Sequence, residues 1–397
     1  MSQRGRIIGI DVARALALLG MVVAHMIDQA PGEGLAVDPW FQVVAGRSSA
    51  LFAVLAGVSI VLASRQSPFG AASGATITLA PGARRSIGIR AALLIAIGLV
   101  LGIPDVGVAV ILLYYGALFL CAIPVLRWNA RSLVILAICW GMAAPVVSML
   151  LRPFLPAPDL MVPEPASLLD PIALLLELSV TGYYPVLTWA TYLFAGMALG
   201  RLNLRSDPVA RRMVLLGLGL AVAALGLSGI VSRNAGVREV LITTYDITGG
   251  VNSWPELSPE ITRGFFGTTP TDSWWWLGIW APHSGSIIDL AHTTGCAAAL
   301  LGGVLMITGR LSREGRRLVH IVFGAGTMTL TLYAVHIVLL GAPPALGWTQ
   351  TISFHVVVLG SLGALFVAAN ARGPLELAVS RIGSLPTTSR QDQRQYR

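Results

Sequence analysis

Ten apolar runs, each about twenty residues long, leave this chain few folds to choose from. They lie at about 7–27, 44–64, 86–104, 107–126, 132–151, 183–200, 213–232, 286–308, 318–340 and 351–371. A run of that length crosses a bilayer as a helix, because a helix satisfies its own backbone hydrogen bonds where no water can. The remainder does not offset them. Hydrophobic residues make up 55% of the chain and charged residues 12%, against about 25% charged in a soluble domain. The expected fold class is all-α, a polytopic membrane bundle of ten helices. A shorter apolar piece, 166–180, reads as a half-helix or an interfacial segment.

Charge sets the expected orientation. All 27 basic residues are arginine. With the N-terminus inside, the inner connections collect Arg4, Arg6, Arg65, Arg84, Arg85, Arg127, Arg131, Arg201, Arg205, Arg310, Arg313 and others, whereas the outer ones hold only Arg152, Arg233, Arg238 and Arg263. Most acidic residues lie on the opposite side, Asp159, Glu164, Asp170, Glu239 and Asp272 among them. That bias places both termini in the cytoplasm. The net charge of +8 is then a topology signal and implies no nucleic acid. Residues 1–371 form one helical domain, with large outer loops at about 152–182 and 233–285. The Arg-rich stretch 372–397 is expected to be a disordered tail near anionic lipid. Half of the ten tryptophans fall in the second loop: Trp254, Trp274, Trp275, Trp276 and Trp280. Some of them belong to an interfacial belt. A loop this long also has room for a binding role. Cys121, Cys139 and Cys296 sit inside apolar runs and read as small buried residues.

The first span carries three costly groups: Asp11, Arg14 and His25. Three residues separate Asp11 from Arg14, so the two share a helical face and can pair. Eleven residues separate Arg14 from His25, close to three turns, so the imidazole projects the same way roughly 16 Å further out. Exposing such a stripe to lipid costs several kcal/mol, so it should face a polar interior. A structural Asp–Arg pair with an interfacial histidine is the plainer alternative.

Other polar residues gather at the same depth. "PHSGSIIDLAH" brings His283 and Ser284 to the mouth of the eighth span, with Asp289 and His292 three apart on one face. "TMTLTLYAVH" stacks Thr329, Tyr333 and His336. With Arg47 and His25 these would form one extracytoplasmic pocket, unless the histidines are simply tolerated at an interface. Metal is not expected, since no span shows a His-x-x-x-His spacing. A G-x-S-x-G nucleophile turn is missing, as are the Walker and dinucleotide loops. Gly98/Gly102 and Gly196/Gly200 have the small-xxx-small spacing of close helix packing. Arg84, Arg85 and Arg90 stand at the inner entry of the third span. They are ordinary topology charges or a grip on the phosphates of a cytosolic donor. Arg90 lies deepest.

The stretch "RIIGIDVARALALLGMVVAH" resembles the first core helix of the transmembrane acyltransferase superfamily, which includes heparan-α-glucosaminide N-acetyltransferase, the YeiB-like bacterial proteins and the acyltransferase-three enzymes. "GRSSALFAVLAGVSI", "TGYYPVLTWATYLFAGMALGRL", "PHSG" and "GTMTLTLYAVH" are similar to YeiB-like pieces in the same order. The resemblance implies acyl transfer across a bacterial inner membrane. Acetyl-CoA or another acyl-CoA would be the cytoplasmic co-substrate, and a hydroxyl or amine of an extracytoplasmic glycan or glycolipid the acceptor. His25 would be the catalytic base, with Arg14 and Asp11 behind it. The chain departs from the pattern it resembles in three ways. His25 stands where the heparan enzyme and YeiB-like proteins usually carry Asn, the stretch Gln29 to Trp40 lacks the histidine that the heparan enzyme uses just after its first core helix, and Arg85 and Arg90 are five apart where the acyltransferase-three branch has Arg-x-x-Arg. A transporter or flippase for a lipid-linked sugar, and a non-catalytic partner, remain the rival readings. A second copy of the chain is a candidate partner beside the lipid bilayer.

Overall fold

The computed structural model describes residues 6–28, 37–65, 79–156, 161–245, 250–341 and 351–383. Its regular elements are helices: α1 (Ile8–Asp28), α2 (Pro39–Val44), α3 (Arg47–Ser64), α4 (Ala83–Gly102), α5 (Ile111–Val125), α6 (Ala130–Leu151), α7 (Pro171–Leu176) and α8 (Val186–Gly200) in the first half. α9 (Asp207–Arg233), α10 (Ala235–Tyr245), α11 (Trp254–Arg263), α12 (Ile287–Arg310), α13 (Arg313–Val322), α14 (Thr329–Leu340), α15 (Ile352–Ala368) and α16 (Pro374–Gly383) follow. The chain is a polytopic helical membrane protein. Among the described residues, six segments are long and apolar enough to cross a bilayer: α1, α2 with α3, α4, α6, α9 and α12. A seventh is broken, with Pro171–Thr181 and Val186–Gly200 meeting at 55°. α5, α14 and α15 are apolar but shorter.

Small residues set the closest approaches. Gly196 of α8 faces the Val54 backbone of α3, and Gly98 of α4 faces Leu113 of α5; neither leaves room for a Cβ. These are the contacts expected of small-xxx-small spacing, where packing and not hydrophobicity joins helices in lipid. α9 and α12 meet in the same way, through Gly217 and Gly295.

The structure differs from the sequence expectation in two places. Residues 318–340 are not one helix. The chain forms amphipathic α13, whose Arg313, Arg316 and Arg317 are exposed, then a 3-10 turn at Gly324–Thr327, then α14. Apolar content hid the break, because Gly-Ala-Gly-Thr reads as hydrophobic enough to span. The tail is the second difference. Pro374–Gly383 is helical and packs on α4 and α14, because Glu376 accepts hydrogen bonds from the Leu330 and Thr331 N–H groups at 2.7 and 3.2 Å and so caps α14. Residues 384–397 lie outside the described residues.

The long loop after α9 has its own apolar core. Val237 and Leu241 of α10, Leu257 and Ile261 of α11, Trp276 and Leu277 bury together with Met149 at the end of α6. Trp274 and Trp275 stay exposed.

Candidate functional site

The site begins on α1. Asp11 is buried, and Arg6 donates from Nε to its Oδ2 at 2.5 Å. Arg14 lies 3.7 Å from Oδ1 of Asp11 and donates to Ser59 Oγ on α3. Two cations on one carboxylate offset much of the cost of placing charge in the bundle. Gly326 rests directly on the Asp11 carbonyl, where any Cβ would collide, and Gly324 rests on Gly363 of α15. This clamp starts α14 beside α1.

Between these helices runs a cavity of about 290 Å³. Arg14, Ser59, Arg90, Glu376 and Ser380 line the end nearest the arginine-rich connections, and Met21, Tyr115 and Tyr333 line the other. Along α1 it extends from Arg14 to Met21, about two turns. The broken backbone at Gly326 and Thr327 forms part of the wall, as is tolerated where irregular chain faces a cavity. Arg90 has its Nε buried without a hydrogen-bond partner among the described residues. Arg84 and Arg85 are exposed one to two turns earlier on α4 and do not line the cavity.

One turn beyond the far end lie three imidazoles. His25 Nδ1 is 3.1 Å from His336 Nε2, and His336 Nδ1 is 2.8 Å from His355 Nδ1. His336 and His355 are fully buried. Met21 precedes His25 by four residues and Tyr333 precedes His336 by three, so cavity and imidazoles share two helical faces. Tyr333 Oη accepts from the Ile111 N–H at 3.2 Å, which leaves its own proton to donate elsewhere.

His283 sits in the turn before α12 with φ +57°, a left-handed conformation uncommon for a residue with a side chain. Its Nε2 accepts from the Gly46 N–H at 3.2 Å, and its ring packs against Tyr183, Tyr184 and Trp189. The two tyrosines come from the break before α8. Burial, with His25 nearby, pushes the His283 imidazole down to about 4, so it is neutral at pH 7. The proton is then on Nδ1, which is buried without a hydrogen-bond partner among the described residues. Ser284 is buried with its Oγ donating to Ser286 Oγ at 3.1 Å. Asp289 accepts from the Gly285 N–H at 3.1 Å through Oδ2, while its buried Oδ1 is unpartnered among the described residues.

Arg47 and His292 form a separate pair. Arg47 donates from Nε to His292 Nε2 at 3.0 Å and lies over the Trp280 ring at 4.8 Å. His292 donates from Nδ1 to the Ala221 carbonyl at 3.1 Å.

The residues expected to share one pocket thus divide. His25 joins His336, with His283 near; Arg47 joins His292; Tyr333 turns toward α5. Three contributors were not singled out from sequence. Ser59 and Glu376 are common polar residues without a distinctive spacing. His355 was visible as a lone histidine in an apolar run, but nothing in the sequence paired it with His336.

Among the described residues, no cluster of histidine, cysteine and carboxylate groups could hold a metal ion. No curated protein matches this chain. A family model described as "Heparan-alpha-glucosaminide N-acetyltransferase, catalytic" matches residues 6–230, which include Asp11, Arg14, His25, Arg47 and Arg90. That match covers more than half of the sequence, and the chain therefore belongs to the heparan-alpha-glucosaminide N-acetyltransferase catalytic family, a family of membrane acetyltransferases.

Proposed function

We propose that this chain moves an acetyl group from cytosolic acetyl-CoA to a hydroxyl or amine of an extracytoplasmic glycan or glycolipid. One observation carries the reading: a cavity has arginines at one end and, at the other, is lined by Met21 and Tyr333, one turn from the His25–His336 pair. At about 290 Å³ it is at the small end for ligand sites. It suits the slender arm of CoA, with the nucleotide left outside. Arg90 and Arg14 would hold phosphate or the polar part of the arm, since a guanidinium fork matches such oxygens. Arg84 and Arg85, exposed at the same entrance, would meet the nucleotide end.

The thioester would then sit near Tyr333 and His25. His25 takes the proton from the acceptor, whose oxygen or nitrogen attacks the acyl carbon. Base assistance of this kind is worth about 10²–10⁴-fold in rate. Tyr333 is the nearest donor for the developing oxyanion, because its oxygen already accepts from Ile111 and its proton is available. Arg14 lies about 16 Å from His25 along α1 and belongs to the donor end. His283, Ser284 and Asp289 face the acceptor, with Arg47 and His292 further along the same mouth.

A passage for a lipid-linked sugar is the second reading. The broken helices at 182–185 and 324–327 favour it, since transporters place their sites at such breaks. Binding of radiolabelled acetyl-CoA to the purified protein in detergent divides the two. Saturable binding that free CoA competes away, and that Arg90→Ala weakens, is expected of the acetyltransferase. No binding at millimolar acetyl-CoA would end that reading.

A further inference from the structure

The line of three imidazoles has a property that a single catalytic base lacks. His336 offers a different nitrogen to each neighbour: Nε2 to His25 and Nδ1 to His355. The three rings therefore cannot close around one ion, and the arrangement is a chain. In a neutral imidazole one nitrogen donates and the other accepts. A chain of such rings has two equivalent states, with every proton shifted one way or the other. Moving between them carries a proton from one end to the other and never leaves a charged ring in the interior. That matters here, because His336 and His355 are fully buried and an unpaired buried cation is costly.

We infer that His25, His336 and His355 form a proton relay that serves the acyl-transfer step, with His336 and His355 as positioning and relay residues behind His25. The inference rests on the reading of His25 as the base. In the starting state His25 Nε2 carries the lone pair. His25 donates from Nδ1 to His336 Nε2, and His336 donates from Nδ1 to His355 Nδ1. As the acceptor oxygen or nitrogen bonds to the acyl carbon, its proton passes to His25 Nε2. The His25 Nδ1 proton moves to His336, the His336 Nδ1 proton moves to His355, and the His355 Nε2 proton passes to a water molecule, the one co-reactant the relay requires. When the carbon–sulfur bond breaks, the line runs backwards. His25 Nε2 gives its proton to the CoA sulfur, and the same water returns its proton to His355 Nε2. The products are the acetylated acceptor and CoA thiol, with all three rings restored. His355 lies in the first turn of α15, so the line ends at the start of that helix.

The test uses the full-length protein in detergent, with radiolabelled acetyl-CoA as donor and glucosamine as acceptor probe. Gln keeps a donor and an acceptor at each position but cannot exchange them. His336→Gln and His355→Gln are therefore expected to fold, bind acetyl-CoA normally and lose roughly 10- to 100-fold in turnover, less than His25→Ala. The wild-type rate should bend with deuterium fraction in the solvent, as for several protons in flight, and become linear in His336→Gln. Imidazole added to His355→Ala should restore part of the rate. A His336→Gln enzyme with wild-type turnover, alongside an inactive His25→Ala, would overturn the relay and leave the base in place. An active His25→Ala would remove the base and the relay with it. Nitrogen-15 spectra of labelled histidine serve as a readout independent of turnover. Three neutral rings coupled across two hydrogen bonds are expected, and a permanently charged His336 would overturn the proposal.

Discussion

Two histidine groups lie toward the same end of this bundle and are bonded in opposite ways. His292 has both nitrogens committed. The Ala221 carbonyl can only accept, so Nδ1 must donate, and the Arg47 guanidinium can only donate, so Nε2 must accept. One tautomer is possible, and the ring acts as a strut between α9 and α3. His25, His336 and His355 bond to one another, and nothing in those two contacts chooses between tautomers. The same side chain is locked by its partners in one place, while the two imidazole–imidazole contacts impose no such lock in the other. The difference lies in the partners, not in depth or burial.

The comparison can be broken first at His25. His25→Ala should cost about 10²–10⁴-fold in acetyl transfer, whereas His292→Ala should act mainly on stability and on acceptor affinity. Equal losses of turnover would erase the distinction. Donor binding gives the next effect. Arg90→Ala should weaken acetyl-CoA binding by about 10- to 100-fold, the worth of a hydrogen bond to a charged group, while Arg84→Ala should change it little, because its charge is in solvent. Isothermal titration in detergent checks both. Gly326→Leu forces a side chain onto the Asp11 carbonyl and should lower stability by about 1–3 kcal/mol, seen as an earlier thermal midpoint. An unchanged midpoint would mean that α14 is free to slide along α1, and the alignment of Tyr333 with Met21 would lose its basis. The smallest effect is expected at Arg47. Arg47→Ala leaves His292 Nε2 with the Cys296 thiol, 3.5 Å away, as its remaining partner and should cost about 1 kcal/mol.

Much of this was legible in the residues because lipid is a strict solvent. A carboxylate, a guanidinium and an imidazole on one face of α1 had to look inward, and the Asp11–Arg14 pair and the cavity beside it follow that rule. Glycine spacing likewise announced the contacts at Gly98 and Gly196. What the sequence hid depends on partners far apart in the chain. His25 and His336 are 311 residues apart, and Thr331 and Glu376 are 45; no local period encodes such pairings. The break at Gly324–Thr327 escaped notice because hydropathy measures what a segment is made of, and a turn buried between α1 and α15 is made of the same small residues as a helix.

The short helices have a final consequence. α14 has 12 residues and rises about 18 Å, and α5 has 15 and rises about 22 Å. Both line the cavity, yet a typical hydrocarbon core is about 30 Å thick. Around them the surrounding lipid must thin or the ends must lie in water-filled recesses. Under the proposed acetyl transfer, the distance the acetyl group travels through oil is set locally by two truncated rods and not by the membrane. Chain length of the host lipids then becomes a rate variable: in vesicles of increasing acyl length, turnover should fall before the protein loses its fold.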